Sequence, residues 1–430
     1  MIALLLLVAA AAGSHTSGDV VRYVIKQGDT SSDLAQRYLV PAHDWHDLLR
    51  LANTRDPRAL LAGRTVSIPV AWLRDSRGDA NLASYRGAVT ITVNGRSTPP
   101  RTGMSLGEGA ELTTAANSFA TLILPDGSRV ALPSQSRLKV VELRKLIING
   151  AIRYRFELGR GSVDTHVTPL SDPSGRYIIS TPISMTAVRG TEYAVFYDDA
   201  THAAGTEVFS GTVAVSPPDG SRPLLVPKAF GATTDADGQS EKAALLPAPD
   251  LVDPGKAQHD DLVTLNLTPV PGAVAYHILL ATDAGFVDSY REQRSPTPHF
   301  EVQGVPDGHQ FVRISAVAPS GLEGQRQTYA FTRLLASIHG EAIATTDGYR
   351  FKWYGAGQGE RHYRLRIFRE AAKGVPIVDD VGLTGNEIAV KRLPPGTYFW
   401  QVATVQAGPD GMTENWTDPE RLVIAAPDGG

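Results

Sequence analysis

From Arg86 onward the chain alternates apolar and polar residues with a period of two, in short runs that stop at clusters of Pro, Gly, Asn and Asp. A strand puts successive side chains on opposite faces, so this period calls for sheets with one buried face, whereas a helix needs a period near 3.6. The clearest run is Ile152, Tyr154, Phe156 and Leu158 against Arg153, Arg155 and Glu157. Phe119–Leu124 stops at Pro125-Asp126-Gly127-Ser128 and resumes at Arg129–Leu132, which reads as a hairpin. Tyr177–Ser180, Glu192–Tyr197, Thr206–Phe209 and Val213–Val215 continue the pattern. With 430 residues, too many for one core, the expected fold class is multidomain and mainly β.

The first seventy residues differ. Met1–Ala12 is almost wholly apolar and has the length of a signal-peptide core, with Ala10 and Ala12 as a cleavage pattern but no Lys or Arg before it. Residues 1–18 are therefore expected to be a signal peptide and spacer, and no later stretch approaches the ~18 apolar residues of a membrane helix. Tyr23–Lys26 reads as a strand that stops at Gly28-Asp29. Thr30 stands three residues before Asp33, a helix-capping spacing, and Leu34 and Tyr38 follow on one helical face. Trp45, Leu48, Leu49 and Ala52 mark a second helix, which Asn53 is suited to end in the left-handed conformation. Thr65–Pro69 is a second strand, so residues 20–70 have the order βααβ.

Beyond residue 260 the sequence repeats. Val305-Pro306-Asp307-Gly308 and the strand after it match Leu393-Pro394-Pro395-Gly396 and its strand at an offset of 88, and Tyr276–Leu280 matches Tyr363–Ile367 at an offset of 87. Two copies of this size with Pro-Gly turns have the pattern of β-sandwiches. They are expected at 261–335 and 338–427, after a Pro-, Gly- and Asp-rich stretch at 227–260 that reads as a linker, with a loose closing strand as the alternative. Trp353, Tyr363 and Trp400 are expected in a core, and Trp416 as an exposed aromatic.

Three resemblances follow from these residues. Tyr23-x-Ile25-x-x-Gly28-Asp29-Thr30, Leu34-Ala35-x-Arg37-Tyr38, Leu48-Leu49-x-Leu51-x-Asn53 and Gly63-x-x-Val66-x-Ile68-Pro69 resemble the LysM domain. Ser31 and Leu39 depart from it, where Leu and Gly are usual. Residues 85–226 resemble the all-β FecR domain. The residues that carry this are Leu124–Ser128, Leu158-Gly159-Arg160-Gly161-Ser162-Val163, Thr181-Pro182 through Val188-Arg189-Gly190-Thr191-Glu192-Tyr193, and Val208–Val215. The C-terminal repeats resemble fibronectin type III domains.

The LysM resemblance implies a shallow groove for N-acetylglucosamine-containing glycans, chiefly peptidoglycan. It would be formed by Gly28, Asp29, Thr30 and Ser31 on one side and Asn53, Leu60 and Leu61 on the other. Backbone amides at a helix start suit acetamido oxygens, and apolar side chains suit sugar faces. Each residue has a structural role to weigh as well: Gly28 and Asp29 make a turn, and Thr30 caps a helix. His43-x-x-His46 has helical metal-ligand spacing but lacks a third ligand, so no metal is expected. Arg189 is expected to pair with a carboxylate such as Glu192, with a ligand-holding charge as the alternative. The seven Lys and Arg between Arg137 and Arg160 are expected to be a solvated strand face, with anionic wall polymer as the alternative.

The chain has no cysteine, which excludes disulfides, thiolate metal sites and thiol catalysis. A formal charge of −4 on 430 residues gives no reason to expect nucleic acid as a partner. No H-E-x-x-H, G-x-S-x-G or P-loop motif is present, and Gly355-x-Gly357-x-Gly359 lies in a β context that does not suit a phosphate loop. No enzyme activity, catalytic residue or cofactor is expected. The leading expectation is a periplasmic or exported, wall-associated scaffold that binds peptidoglycan and presents β modules to a protein partner. The alternatives are an envelope signal-sensing component related to FecR regulators of sigma factors, and an accessory subunit of a wall hydrolase.

Overall fold

The computed structural model describes residues 19–57, 60–355, 361–408 and 411–425. The apolar N-terminal stretch, Gly357 and Gly359 lie outside the described residues. Two compact units result. One comprises the described residues up to Asp250 with Pro269–Thr297 and Arg313–Gln327, and the other comprises Leu251–Thr268, Pro298–Val312 and the described residues from Thr328 on. The stretch 261–335, expected as one sandwich, contributes to both.

The first unit begins with β1 (Val20–Val24), α1 (Ser31–Tyr38), α2 (Trp45–Leu51) and β2 (Thr65–Pro69). β1 and β2 pair antiparallel from Val20↔Pro69 to Val24↔Thr65, which sends Val21, Tyr23, Val66 and Ile68 inward together. The Thr30 hydroxyl accepts the Asp33 N–H at 3.1 Å and donates to the Asp33 carboxylate at 2.8 Å, so α1 starts where the sequence placed it. α2 starts on a reciprocal cap: Asp44 accepts from His46 N–H at 2.9 Å, and Asp47 accepts from Asp44 N–H at 3.1 Å. Leu39, a departure from the LysM pattern, has extended backbone and is buried in the module core, so no glycine is needed there. That core is completed from outside the module by Leu146 and Ala151, which flank a hairpin tip of the next one.

The middle module is two large sheets sharing one core, with Leu82, Ile91, Val130, Phe156, Tyr177 and Tyr193 almost fully buried within it. The strand Ile152–His166 belongs to both sheets. Its first half pairs antiparallel with Arg137–Leu146 and parallel with Arg176–Ser180; its second half pairs with Arg129–Leu132 and Glu192–Asp198. The passage between sheets falls at Leu158-Gly159-Arg160-Gly161. Gly161 has φ +77°, and a Cβ there would lie 2.5 Å from the Gln135 carbonyl oxygen and 2.6 Å from Ser136 Cα. Only glycine fits this corner.

The sheets extend past the expected boundaries of 85 and 226. Asp75–Arg77 and Ala80–Arg86 join them at one end. At the other, Phe230–Thr234 pairs with Ala204–Glu207 and with Ser240–Ala244, so the stretch read as a linker or a closing strand adds strands to the sheet. Gly231 is a close-approach position within this strand, where a Cβ would sit 2.9 Å from the Thr206 carbonyl oxygen. From residues 269–297, Ala275–Ala281 and Ser289–Ser295 form an antiparallel pair in the same unit.

In the second unit Leu262–Asn266 pairs with His299–Gln303. The C-terminal residues form a β-sandwich. Ile338–Thr345, Gly348–Gly355 and Glu387–Lys391 make one sheet; Val378–Leu383, Arg361–Arg369, Gly396–Gly408, Gly411–Trp416 and Glu420–Ile424 make the other. Phe351, Trp353, Leu365, Ile367, Tyr398 and Trp400 fill the space between them. Tyr398 donates its hydroxyl to the Pro394 carbonyl at 2.6 Å, a tyrosine corner that fixes the Leu393-Pro394-Pro395-Gly396 turn. Tyr363 is half-buried, its ring 5.6 Å from that of Trp353.

Candidate functional site

The two loops expected to form the groove are built largely by their own residues. Gly28 is exposed with φ +89°, which the turn after β1 requires. The Asp29 carboxylate accepts the Tyr23 hydroxyl at 2.9 Å and the Lys26 N–H at 2.8 Å. Burial and that carboxylate push the Tyr23 phenol up to about 12. Thr30 is exposed while it caps α1, and Ser31 is buried. The first turn of α1 leaves amide groups without helical partners, a suitable surface for a neutral acetamido oxygen.

On the other side Asn53 has φ +50°, and its N–H reaches the Arg50 carbonyl at 3.0 Å while the Thr54 N–H reaches Leu49 at 3.0 Å. This is a Schellman closure, and Asn53 is its left-handed residue. Asn53→Ala is expected to cost about 1 kcal/mol, from the Cβ penalty in that conformation, whereas Asn53→Gly leaves stability unchanged within a few tenths; thermal denaturation of both variants checks this. Leu60 and Leu61 part company: Leu60 is 8% exposed in the module core, while Leu61 is 67% exposed. Of these two, Leu61 is the side chain offered to solvent. His43 is half-buried, stacked on Trp72 with ring centroids 4.0 Å apart and meeting Asp47 at 3.1 Å, while the exposed His46 meets Asp44 at 3.1 Å.

The most specific string of the middle module serves its fold. Thr181 and Ser184 close a buried hydroxyl turn at 2.8 Å. Arg189 donates to the carbonyl oxygens of Asp172 and Pro173, both at 2.7 Å, and so ties down a neighbouring loop instead of meeting a carboxylate as expected. Gly190 passes so close to Pro169 that a Cβ would lie 2.7 Å from its Cα. The basic stretch is partly neutralised: Arg144 reaches Glu108 at 2.7 Å and Asp75 at 3.2 Å, and Arg153 reaches Glu142 at 3.2 Å. In the second unit, the Arg366 guanidinium lies 4.5 Å from the centroid of the half-buried Trp416 ring, covering one face of an aromatic expected to be exposed.

Sequence reasoning missed a buried ionic cluster on the outer face of one middle-module sheet. A cavity of about 810 Å³ lies between that face, the Ala275–Ser295 hairpin and the segment Arg313–Arg326. Asp164 accepts from Arg313 at 2.7 Å and Arg326 at 2.6 Å, with all three side chains at most 15% exposed. Burial alone would raise Asp164, but the guanidinium groups of Arg326 and Arg313 hold it below the usual carboxylate range. Glu323 accepts from His277 at 2.9 Å, Arg294 at 2.5 Å and Ser315 at 3.2 Å, and its own N–H donates to Glu207 at 2.9 Å. Burial and the Glu323 carboxylate raise Glu207, while burial of Glu323 is outweighed by His277 and Arg294, which lower it. Burial disfavours the His277 cation, but Glu323 and Glu292 outweigh it and bring His277 to about 9. Asp164, Glu207, His277 and Glu292 stand at outward positions of strands and Glu323 and Arg326 on the loop between Val317 and Gln327, so the sequence pattern alone assigns them to solvent.

Two family models match this chain. The LysM domain model matches residues 23–69, and the model described as FecR protein matches residues 110–214. No curated protein matches. Two crystal structures of a protein described as a candidate anti-sigma factor from Parabacteroides distasonis ATCC 8503 are similar at 18% and 17% identity, each covering 31% of this chain with a TM-score of 0.26. The match spans 59% of those solved chains. A segment of two fibronectin type III domains from chicken tenascin is similar at 13% identity over 42% of this chain and 99% of its own length, with a TM-score of 0.23. No helix among the described residues is long and apolar enough to cross a membrane.

Proposed function

We propose that this is a non-catalytic envelope protein that binds N-acetylglucosamine-containing glycan, chiefly peptidoglycan, through its LysM module. In this reading the FecR module and the C-terminal repeats, taken as fibronectin type III-like, are presented to a protein partner. The observation that carries the proposal is the LysM match over residues 23–69. The exposed Leu61 and the helix start after Thr30 support it, since they offer the apolar and amide surfaces that an acetylated sugar needs. A periplasmic or exported, wall-associated location follows from the ligand.

Co-sedimentation of the purified protein with sacculi tests the reading. Wild type is expected to pellet with the wall, and Leu61→Asp to lose about tenfold in affinity, equivalent to about 1.4 kcal/mol, without a change in thermal stability. Asn53→Gly keeps the fold and asks whether the Asn53 amide touches the ligand. Wild type left in the supernatant would sink the proposal. A second reading, favoured by the FecR match over residues 110–214, is an envelope signal-sensing component whose message a membrane partner relays. Deletion of the gene followed by transcript measurement separates the two: an altered envelope regulon supports sensing.

A further inference from the structure

The outer face of the FecR-module sheet has two fastenings of different chemistry. The first is Asp164 between Arg313 and Arg326; arginine does not titrate in this range and Asp164 is held ionised, so this contact is permanent. The second is made of Glu207, Glu323, His277, Glu292 and Arg294, and four of these five groups can exchange protons. We propose that this second fastening is a proton-operated latch, which holds the Ala275–Ser295 hairpin and the Ser315–Glu323 loop on the sheet and releases them as the pH rises, while Arg313 and Arg326 stay anchored on Asp164.

The geometry assigns the protons. Glu323 has three donors on its carboxylate, His277, Arg294 and Ser315, and is the ionised member. Glu207 is 3% exposed and accepts the Glu323 backbone N–H at 2.9 Å, which brings two buried carboxyl groups into one site where the Glu323 charge disfavours a second one. Glu207 therefore keeps its proton at neutral pH. His277 lies between Glu323 at 2.9 Å and Glu292 at 3.7 Å and is the imidazolium. Glu292 also accepts the Ser134 N–H at 3.3 Å, which ties the hairpin to the sheet.

The charged groups facing the cluster come from each packed element. They are Arg129, Arg160, Asp164, Asp198, Asp199 and Glu207 from the sheet and its turns, His277, Glu292 and Arg294 from the hairpin, and Arg313, Glu323 and Arg326 from the last segment. With Arg313 and Arg326 engaged by Asp164, the neutral-pH balance within the latch is two carboxylates against two cations. In alkali His277 loses its charge and Glu207 gains one, leaving three carboxylates around Arg294.

Both shifts act in the same direction. His277 is raised from 6.5 to about 9, so its stabilisation is complete below 6.5 and is lost as pH rises through about 9. Glu207 is raised above 4.5, so its contribution too is complete below 4.5 and is lost as the pH rises. Glu323 and Glu292 are lowered, and their contributions are lost only in acid. The latch is closed in mild acid and opens in alkali, uncovering the sheet face and the cavity behind it.

Hydrogen–deuterium exchange on the full chain tests this, read at pH 6.5 and pH 9 after correction for base-catalysed intrinsic exchange. Peptides spanning 275–295 and 315–323 are expected to exchange at least tenfold faster at the higher pH, while peptides of the core strand Arg176–Ser180 and of Ala203–Ser210, which is paired on both sides within the sheet, stay protected. Glu207→Gln, which fixes the neutral form, should keep more of that protection at pH 9 than wild type; His277→Gln should be open already at pH 6.5. Equal protection at both pH values in wild type would overturn the latch. So would a loss of protection spread evenly over the whole first unit, or a Glu207→Gln profile identical to that of wild type.

Discussion

Gly161→Val is expected to lower the first unit's melting temperature by roughly 6–12 °C, from a loss of about 3 kcal/mol. Two costs combine. A β-branched residue at φ +77° occupies a conformation that L-residues avoid, and its Cβ would meet the Gln135 carbonyl and Ser136 Cα at about van der Waals overlap, 2.5 and 2.6 Å. Those atoms are backbone and cannot swing away. Gly159 two residues earlier is the control. A Cβ there would lie 2.9 Å from Arg137 Nε, the movable end of a side chain, and its φ is not in the left-handed region. Gly159→Ala should therefore cost under about 1 kcal/mol. Differential scanning calorimetry of the two variants reads the difference. Equal destabilisation would mean that the strand does not pass between the sheets at this corner.

Asp164→Ala is the second large effect, a loss of about 3–5 kcal/mol. The substitution leaves the Arg313 and Arg326 guanidinium groups, 12% and 15% exposed, without the carboxylate that both contact. Their stacking on aromatic rings persists, with Arg313 4.1 Å from the Phe286 centroid and Arg326 3.9 Å from that of Phe209, but a ring replaces little of a lost full charge. The penalty comes from stranding the cations, so removing them as well should restore much of it. Urea unfolding of Asp164→Ala, of Arg313→Met/Arg326→Met and of the triple variant makes that cycle. An Asp164→Ala loss below 1 kcal/mol would show that these arginines reach water.

The parts of the fold carried by local chemistry were legible in the sequence. Thr30 and Asp33 mark a helix start because a hydroxyl three residues ahead of an amide can satisfy it, and Asn53 marks a helix end because it tolerates positive φ. The alternation of Ile152–Leu158 gave the buried face correctly, and the Leu393–Gly396 turn located the strand that carries Trp400. Features that depend on a second layer were not legible. Asp164, Glu207 and His277 look solvated because alternation tells which side a residue faces and not what covers that side. The stretch around Gly231 left a linker and a closing strand equally open because a glycine needed for close approach and one needed for a turn are the same letter. Leu60 and Leu61 were equivalent in sequence, and only packing separates the core residue from the exposed one. Arg189 stood out as a charge, yet its partners are carbonyl oxygens, which no residue type announces.

The glycan reading is tested most directly by amide spectra of the deuterated full chain titrated with a soluble N-acetylglucosamine tetramer. Saturable shifts are expected at Gly28, Thr30, Ser31, Asn53 and Leu61, with the amides around Asp164 and Glu323 unmoved and the response weakened about tenfold in Leu61→Asp. An absence of shifts in residues 23–69, or shifts confined to the other modules, would contradict it.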